Sequence, residues 1–175
     1  MKKTFSDYQL NPYIIEGLTQ QNIIYPTEIQ AAVIPSVFAG DNLIGQSQTG
    51  SGKTYAFLLP LLHQLNVDQS HIQYVITAPS RELAEQIYHA LIQITQYAPE
   101  PIYTYLCVGG TDKQKLVQKF EHRQPHIIIG TPGRILDMVD MNVADIHKVS
   151  CFVIDEADMT LDLGFLTTVD QIAAK

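Results

Sequence analysis

The clearest chemical signal in this sequence is a glycine-rich segment that ends in a lysine and a threonine. Its members are Gln48, Thr49, Gly50, Ser51, Gly52, Lys53 and Thr54. Glycines let backbone N–H groups turn toward phosphate oxygens, and a helix that starts there adds partial positive charge. Lys53 could then reach the β and γ phosphates of a nucleotide, and the Thr54 hydroxyl could hold Mg²⁺. The segment therefore predicts a phosphate-binding loop that follows a strand and opens a helix.

One position departs from the strict GxxxxGK[ST] pattern, because Ser47 stands where glycine is expected. A small residue there keeps the turn possible. The alternative is a glycine-rich connection between a strand and a helix that binds no ligand. A nucleotide site also needs a metal-directed carboxylate on a neighbouring strand, and the sequence offers one.

An acidic box follows an apolar run later in the chain. The run Cys151–Ile154 reads as a strand, and after it come Asp155, Glu156, Ala157 and Asp158. Ligands of parallel sheets bind at the carboxyl ends of the strands. Asp155 would orient Mg²⁺ there, and Glu156 would polarise the attacking water. The alternative is that these acids only favour the start of a helix through its dipole. Taken together, the loop and the acidic box specify an NTPase.

Short apolar runs alternate with segments of helical period, which is typical of repeated βα units around a parallel sheet. The predicted strands span residues 42–46, 72–78, 102–108, 126–130 and 149–154. The clearest predicted helices span residues 12–20, 27–38 and 81–97. The pattern predicts an α/β fold with a mostly parallel sheet flanked by helices.

With 175 residues and 46% hydrophobic residues, the chain can bury one sizeable core and hardly two. We therefore predict a single domain over residues 1–175. Residues 1–40 form a helical extension, and residues 41–175 form the phosphate-loop core. Because the chain stops soon after its last helix begins, we expect it to be a fragment.

The composition narrows the class of protein further. A net charge of −7 argues against a protein that holds nucleic acid by bulk charge, so any such site must be local. Cys107 and Cys151 lie in apolar runs and read as buried packing residues of a reducing cytosol. The six histidines lack metal-ligand spacing. Since no apolar stretch is long enough to span a membrane, we expect a cytoplasmic protein without a membrane partner.

Several further segments resemble the motifs of the DEAD-box RNA helicases, in the same order and over nearly the whole chain. They are Tyr25-Pro26-Thr27-Glu28-Ile29-Gln30, Pro79-Ser80-Arg81-Glu82-Leu83-Ala84, Gly109-Gly110, Thr131-Pro132-Gly133-Arg134 and the acidic box. The resemblance implies a RecA-like P-loop domain, the first lobe of an ATP-dependent RNA helicase, with ATP and Mg²⁺ bound at the phosphate loop.

The segment that ends in Gln30 resembles the family's Q motif, whose glutamine contacts adenine. The resemblance also implies that Phe5 stacks near the base. Read from the residues alone, Thr27 and Gln30 form a capping box at a helix start. Both readings can hold together, because a capped helix fixes the glutamine side chain. Asn22 and Ile23 depart from the family's usual glycine-aromatic pair.

The resemblance implies that the middle motifs bind the sugar-phosphate backbone of RNA. The residues concerned are Pro79, Arg81, Gly109, Gly110, Thr131, Gly133 and Arg134. Ser80 replaces the family's threonine. Each motif has a local alternative, because Gly-Gly is an ordinary turn and Thr131 before Pro132 is an ordinary helix N-cap.

Residues 161–165 match the family's segment after the acidic box, and the resemblance implies that Asp158 couples the ATP site to a later Ser-Ala-Thr motif. That motif and the second RecA-like lobe do not occur in these residues. We therefore expect no helicase activity from the chain alone. Two alternatives stay open: a P-loop enzyme of another class, such as a DNA helicase or a nucleotide kinase, and a non-catalytic RNA or protein interaction module.

Overall fold

The structure is a computed structural model that describes residues 3–175. These residues form two compact units. The helical unit contains residues up to Asn66 together with His89–Pro101, and the sheet unit contains Val67–Tyr88 together with Ile102–Lys175. The predicted phosphate loop belongs to the helical unit. The acidic box and the middle motifs belong to the sheet unit.

The helical unit begins with a 3-10 turn at Phe5–Tyr8. Its helices are α1 (Pro12–Gln20), α2 (Glu28–Phe38), α3 (Lys53–Gln64) and the second half of α4 (Arg81–Thr95). Proline at the first position of α1 fits its start, since the missing N–H has no helical partner there. A Cβ on Gly17 would lie 2.9 Å from the Ile94 Cα, so only glycine lets α1 pass this close to α4. Helix α2 packs on α3.

The sheet unit is built on four parallel strands: β1 (Tyr74–Thr77), β2 (Thr104–Cys107), β3 (Ile127–Gly130) and β4 (Cys151–Ile154). Their spatial order is β2-β3-β1-β4. All residues of β1 and β3 are buried, as expected for central strands covered on both faces.

Helices α5 (Lys113–His122), α6 (Pro132–Asp140), α7 (Ala157–Asp162) and α8 (Leu166–Ala173) complete the sheet unit. Apolar side chains from three of them pack with side chains of the sheet in one core. Its buried members are Ile72, Val75, Cys107, Leu116, Phe120, Ile128, Ile135, Met138, Val139, Ala144, Ile146 and Ile172. This core confirms the predicted parallel α/β architecture.

The predicted strand at residues 42–46 is wrong. The segment has no regular structure, and the Ile44 side chain is 99% exposed. A strand is defined by its hydrogen-bonded neighbour, and the four paired strands of the described chain do not include this segment. The phosphate loop therefore follows an irregular segment and not a strand. The other four predicted strands are confirmed with shorter bounds, and the helix predicted over residues 81–97 ends at Thr95.

The two cysteines differ in burial. Cys107 is fully buried, and burial raises the pKa of its thiol to about 12. Cys151 is only partly buried on β4, so the prediction of two buried packing residues is confirmed for Cys107 and wrong for Cys151. This strand pairs only with β1 in the described sheet, which leaves one edge uncovered by a further strand. Among residues 3–175, no helix is both long and apolar enough to cross a membrane.

Candidate nucleotide and RNA sites

The phosphate loop adopts a conformation that requires glycine at two positions. Gly50 and Gly52 have φ values of 81° and 90°, in the left-handed region that favours glycine. Gly52 is the N-cap of α3, and Lys53 is the first residue of that helix. The loop therefore leads directly into the N-terminus of α3, where unpaired N–H groups favour binding of an anion. Gln48, Thr49 and Gly50 are exposed to solvent.

The Lys53 side chain is held over the loop by backbone carbonyls. Its Nζ donates to Ser47 O at 2.7 Å and lies 3.4 Å from Gln48 O. The Ser47 and Ser51 hydroxyls are 2.5 Å apart. Ser47, which replaces the expected glycine, therefore forms a hydrogen bond across the loop. Serine at position 47 is thus compatible with the turn, as expected from its small size.

Oxygen donors of the kind that Mg²⁺ prefers are present at both predicted metal positions. Thr54 is the second residue of α3 and is partly exposed. Asp155 follows β4 directly and is also partly exposed. A hydroxyl or a carboxylate is each suited to a hard cation that keeps several of its waters.

The capping box predicted at Thr27 and Gln30 is confirmed. Gln30 N donates to Thr27 Oγ1 at 3.5 Å, and Gln30 Oε1 accepts from Thr27 N at 2.9 Å. The remaining end of the amide, Nε2, donates to Gly52 O at 3.0 Å. The Gln30 side chain is buried and also fills the space where a side chain at position 52 would lie. Gln30 therefore connects the start of α2 with the N-cap of α3.

Phe5 is 2% exposed, and its backbone N–H donates to Ile24 O at 3.2 Å. Its ring is a core side chain of the helical unit. Stacking of Phe5 near a base stays a prediction, as does the contact of Gln30 with adenine.

Replacing Gln30 separates its two contacts. In Gln30→Glu, Oε1 can still accept from Thr27 N, but the donor to Gly52 O is lost; Gln30→Ala removes both. We expect both variants to narrow the preference for ATP over GTP, measured as the ratio of dissociation constants of fluorescent analogues for the 175-residue chain. We expect Gln30→Ala to lose about 1–3 kcal/mol of unfolding free energy in urea, because buried partners stay unsatisfied. If both variants kept the ratio of ATP to GTP dissociation constants, capping would be the only role of Gln30.

The acidic box lies at the carboxyl end of β4. Asp155 N donates to Thr77 O at 2.9 Å, which continues the pairing of β4 with β1 by one residue. Glu156 has a φ of 48° and a ψ of 54°, a left-handed conformation that costs a non-glycine residue roughly 1–2 kcal/mol. Such outliers persist where the surrounding structure requires them and often mark functional sites.

The alternative that the acidic box favours a helix start is compatible with the structure, because Asp158 lies in the first turn of α7. Glu156 occupies the N-cap position of α7, but its side chain makes no capping hydrogen bond. Asp158 Oδ1 accepts from the backbone N–H of Met159 at 2.9 Å. The helix start therefore accounts for Asp158, whereas the side chain of Glu156 takes no part in capping.

The first two predicted RNA-binding motifs meet in the sheet unit. Arg81 Nη1 lies 3.5 Å from Gly109 O, and its Nε donates to Glu85 Oε1 at 2.8 Å. The hydrogen bond and charge of Glu85 raise the pKa of Arg81. Gly110 has a φ of 77°, and a Cβ there would lie 2.8 Å from Arg81 Nη1. The Gly-Gly turn thus lies beside the end of the flexible Arg81 side chain, and the ordinary-turn alternative stays open.

Around the same motif, Pro79 is buried between β1 and α4. Ser80 Oγ accepts from Leu83 N at 3.2 Å, so serine caps this helix as a threonine would.

The third predicted RNA-binding motif opens α6. Thr131 is the N-cap and Pro132 the first residue, as the capping alternative predicts, although the Thr131 side chain makes no capping hydrogen bond. The Arg134 side chain is 16% exposed, and its Nε lies 3.9 Å from Asp137 Oδ2. Its Nη1 is buried without a hydrogen-bond partner, which is costly for a charged group. Gly133 faces open space.

Sequence reasoning missed the acids that orient these arginines. Glu85 follows Arg81 by four residues and Asp137 follows Arg134 by three, so both pairs lie on one helix face. That spacing was the available signal. Sequence reasoning also missed the hydrogen bond from Lys53 to the Ser47 carbonyl, because a backbone acceptor leaves no mark in a sequence pattern.

A parallel sheet with an acidic box after β4, and a glycine-rich loop that opens a helix, are the features of the P-loop NTPase class. The chain belongs to the DEAD/DEAH box helicase family, whose model matches residues 27–175. The fold is RecA-like: a DEAD box protein from the hyperthermophile Methanococcus jannaschii superposes with a TM-score of 0.88 at 30% identity, over 98% of this chain and 47% of that chain.

Several relatives similar to this chain are named as bacterial RNA helicases. The chain is 46% identical over 99% of its length to the DEAD-box ATP-dependent RNA helicase CshB of Bacillus cereus, and 47% identical over its whole length to CshB of Bacillus subtilis. It is 38% identical to the ATP-dependent RNA helicase DeaD of Buchnera aphidicola. The chain spans 40% of the length of the two CshB proteins and 29% of that DeaD protein.

Proposed function

We propose that this chain is the ATP-binding first lobe of an RNA helicase that couples ATP hydrolysis to local unwinding of RNA duplexes or remodelling of RNA-protein complexes. The observation that carries the proposal is the position of Lys53, at the start of α3 and held over a loop with two left-handed glycines. The names of the bacterial relatives support the choice of ATP and RNA. The cytoplasm is the proposed location.

In this proposal the residues of the phosphate loop bind and orient the nucleotide. Backbone N–H groups of the loop and of the N-terminus of α3 would bind the phosphates, and Lys53 would neutralise their charge. Gln30 and Phe5 contribute to the adenine side. Bound Mg²⁺ would neutralise phosphate charge, with Thr54 and Asp155 as its protein ligands. Glu156 would accept a proton from the attacking water.

The RNA-binding residues act on the backbone and not on the bases. Arg81, Arg134 and the N-termini of α4 and α6 offer positive charge and N–H groups to phosphate oxygens. Binding of this kind fixes orientation without reading sequence. Pro79, Gly109, Gly110, Thr131 and Gly133 would shape the surface that the sugar-phosphate backbone follows.

A second RecA-like lobe of the same parent protein is the proposed intramolecular partner, and Asp158 the residue that couples the two. The relatives' greater length leaves room for that lobe. Several large apolar side chains near the acidic box are 39–57% exposed, and we propose that the rest of the helicase covers them. They are Ile154, Met159, Leu161, Leu163 and Leu166. Without that part, the 175-residue chain should have no helicase activity.

The deciding experiment compares ATPase activity of the complete helicase with that of the 175-residue chain. Each is assayed with single-stranded RNA, with DNA of matched sequence and without nucleic acid. Stimulation of the complete protein by RNA but not DNA, with a silent fragment, is the expected result. Equal stimulation by DNA, or phosphorylation of a small acceptor, would favour another P-loop class. If the complete protein bound nucleotide but did not hydrolyse it under any of these conditions, a non-catalytic interaction module would be favoured.

A further inference from the structure

Helix α5 concentrates positive charge in an otherwise acidic chain. The span 113–123 holds Lys113, Lys115, Lys119 and Arg123, four of the eleven lysines and arginines, whereas the net charge of the whole chain is −7. Leu116 and Phe120 bury one side of the helix in the core of the sheet unit. The lysines are exposed.

Three of the cationic or titratable side chains lie in one stripe. Lys115, Lys119 and His122 are spaced by four and three residues, which places them above one another on the exposed side of α5. The acidic residue Glu121 lies roughly 160° around the helix from Lys119, at about 100° per residue. We call Lys115, Lys119 and His122 the α5 stripe. No acidic side chain of α5 lies within it.

Ion pairs neutralise the stripe only weakly. Lys115 Nζ is 4.0 Å from Asp112 Oδ2, with side chains 79% and 50% exposed, so solvent screens the pair. Lys113, outside the stripe, is 3.4 Å from Asp137 Oδ2. The ion pairs found in the described chain do not engage Lys119. The charge of the stripe therefore remains available to an anion.

Stability of the helix explains only half of this arrangement. Lys119 and His122 lie in the last turn, where positive charge favours the helix dipole. Lys113 and Lys115 lie in the first turn, where positive charge opposes it. A purely structural role accounts for the cations at one end of α5 and not for those at the other.

The stripe continues from the Gly-Gly turn. Thr111 Oγ1 donates to Val108 O at 2.8 Å, and Asp112 Oδ1 caps α5 by accepting from Gln114 N at 3.0 Å and Lys115 N at 3.2 Å. Two residues therefore link Gly110, beside Arg81, to the first turn of α5 with fixed geometry. A nucleic-acid strand whose phosphates lie at Arg81 and the Gly-Gly turn can extend along α5.

We propose that the α5 stripe binds the sugar-phosphate backbone of single-stranded RNA that extends beyond the Gly-Gly turn. This inference rests on the proposed function and adds a contact surface to it. Charge complementarity selects a polyanion, and continuity with the turn selects the RNA strand. Because lysines meet phosphates without reading bases, the added affinity is independent of sequence and sensitive to salt.

The test uses the 175-residue chain and labelled oligouridylates of two lengths, about 6 and about 20 nucleotides, chosen around the site size of a single-strand-binding domain. Binding is measured by fluorescence anisotropy at several salt concentrations. In Lys115→Gln/Lys119→Gln, the long RNA should bind about 3- to 10-fold more weakly, and the slope of log K against log salt should fall by about 1.4, since each single-strand phosphate contact adds about 0.7. The short RNA should bind unchanged.

The matched control is Lys148→Gln/Lys175→Gln, which removes the same charge from the same unit. Equal weakening in this control, or an unchanged affinity of the stripe variant for long RNA, would overturn the proposal. Displacement of long RNA by polyglutamate as efficient as by unlabelled RNA would overturn RNA as the occupant and favour an acidic protein. If the unmodified chain bound neither RNA length, the proposed RNA-binding function would fail together with the stripe proposal. If it bound both lengths with equal affinity, only the stripe proposal would fail. Circular dichroism in urea confirms that both variants fold.

Discussion

Replacing Lys53 by alanine is expected to weaken ATP binding to the 175-residue chain by about 10- to 150-fold, because a charge-assisted hydrogen bond contributes about 1.5–3 kcal/mol. Lys53 is the first residue of α3, with its Nζ 2.7 Å from Ser47 O. Its ammonium is therefore already positioned over the loop, and alanine removes the charge without replacing the donor. Turnover in the complete helicase should fall further, by about 10² to 10³, since the lysine also stabilises charge that develops on the γ phosphate.

Binding is measured with a fluorescent ATP analogue by titration, and turnover by phosphate release with saturating RNA. Lys148→Ala is the matched control, because Lys148 is exposed and lies in the sheet unit. It removes the same charge and should leave both quantities unchanged. Near-normal nucleotide affinity in Lys53→Ala would show that the glycine-rich loop is a connection and not a phosphate site.

The sequence predicted the bounds of the helices more closely than it predicted the strands. Helix α1 has the predicted bounds, because Asn11 and Pro12 define its start. The segment 42–46 has the composition of a strand, but composition reports only what a residue tolerates, and a strand also needs a neighbour. Ile44 at 99% exposure shows that this requirement is not met in these residues.

Side-chain contacts between distant segments were also beyond the sequence. The capping box of Thr27 and Gln30 is local and was predicted, whereas the bond from Gln30 Nε2 to Gly52 O joins residues 22 positions apart. Likewise, the approach of Arg81 to the Gly-Gly turn spans 28 positions. Motif order indicated that these segments belong together, but only packing decides which atoms meet.

Glu156 shows the same limit in the backbone. The sequence predicted that the acids of the box could favour a helix start, and the structure places Glu156 at the N-cap of α7 with a φ of 48° and no capping hydrogen bond from its side chain. Left-handed geometry is ordinarily assigned to glycine or asparagine, so the residue type pointed away from the observed conformation. Strain at a carboxylate that the cap does not use is the feature that most favours a chemical role.

Glu156→Gln is expected to lower ATP turnover by the complete helicase by about 10²- to 10⁴-fold, the usual contribution of a general base. ATP affinity should stay within about threefold, because the amide keeps the size of the side chain, and RNA binding should persist. The unfolding free energy should change little, since the side chain makes no capping hydrogen bond and the backbone conformation is retained. The measurements are single-turnover hydrolysis, nucleotide titration and urea denaturation.

Asp162→Asn is the matched control, because Asp162 is an exposed acid at the end of the same helix and loses the same charge. It should hydrolyse ATP at the normal rate. Normal hydrolysis by Glu156→Gln would mean that another group accepts the proton and that the strained backbone serves only the start of α7. A combined loss of ATP affinity and hydrolysis would instead place Glu156 among the residues that hold the nucleotide. Loss of hydrolysis with ATP still bound would therefore separate proton transfer from nucleotide binding.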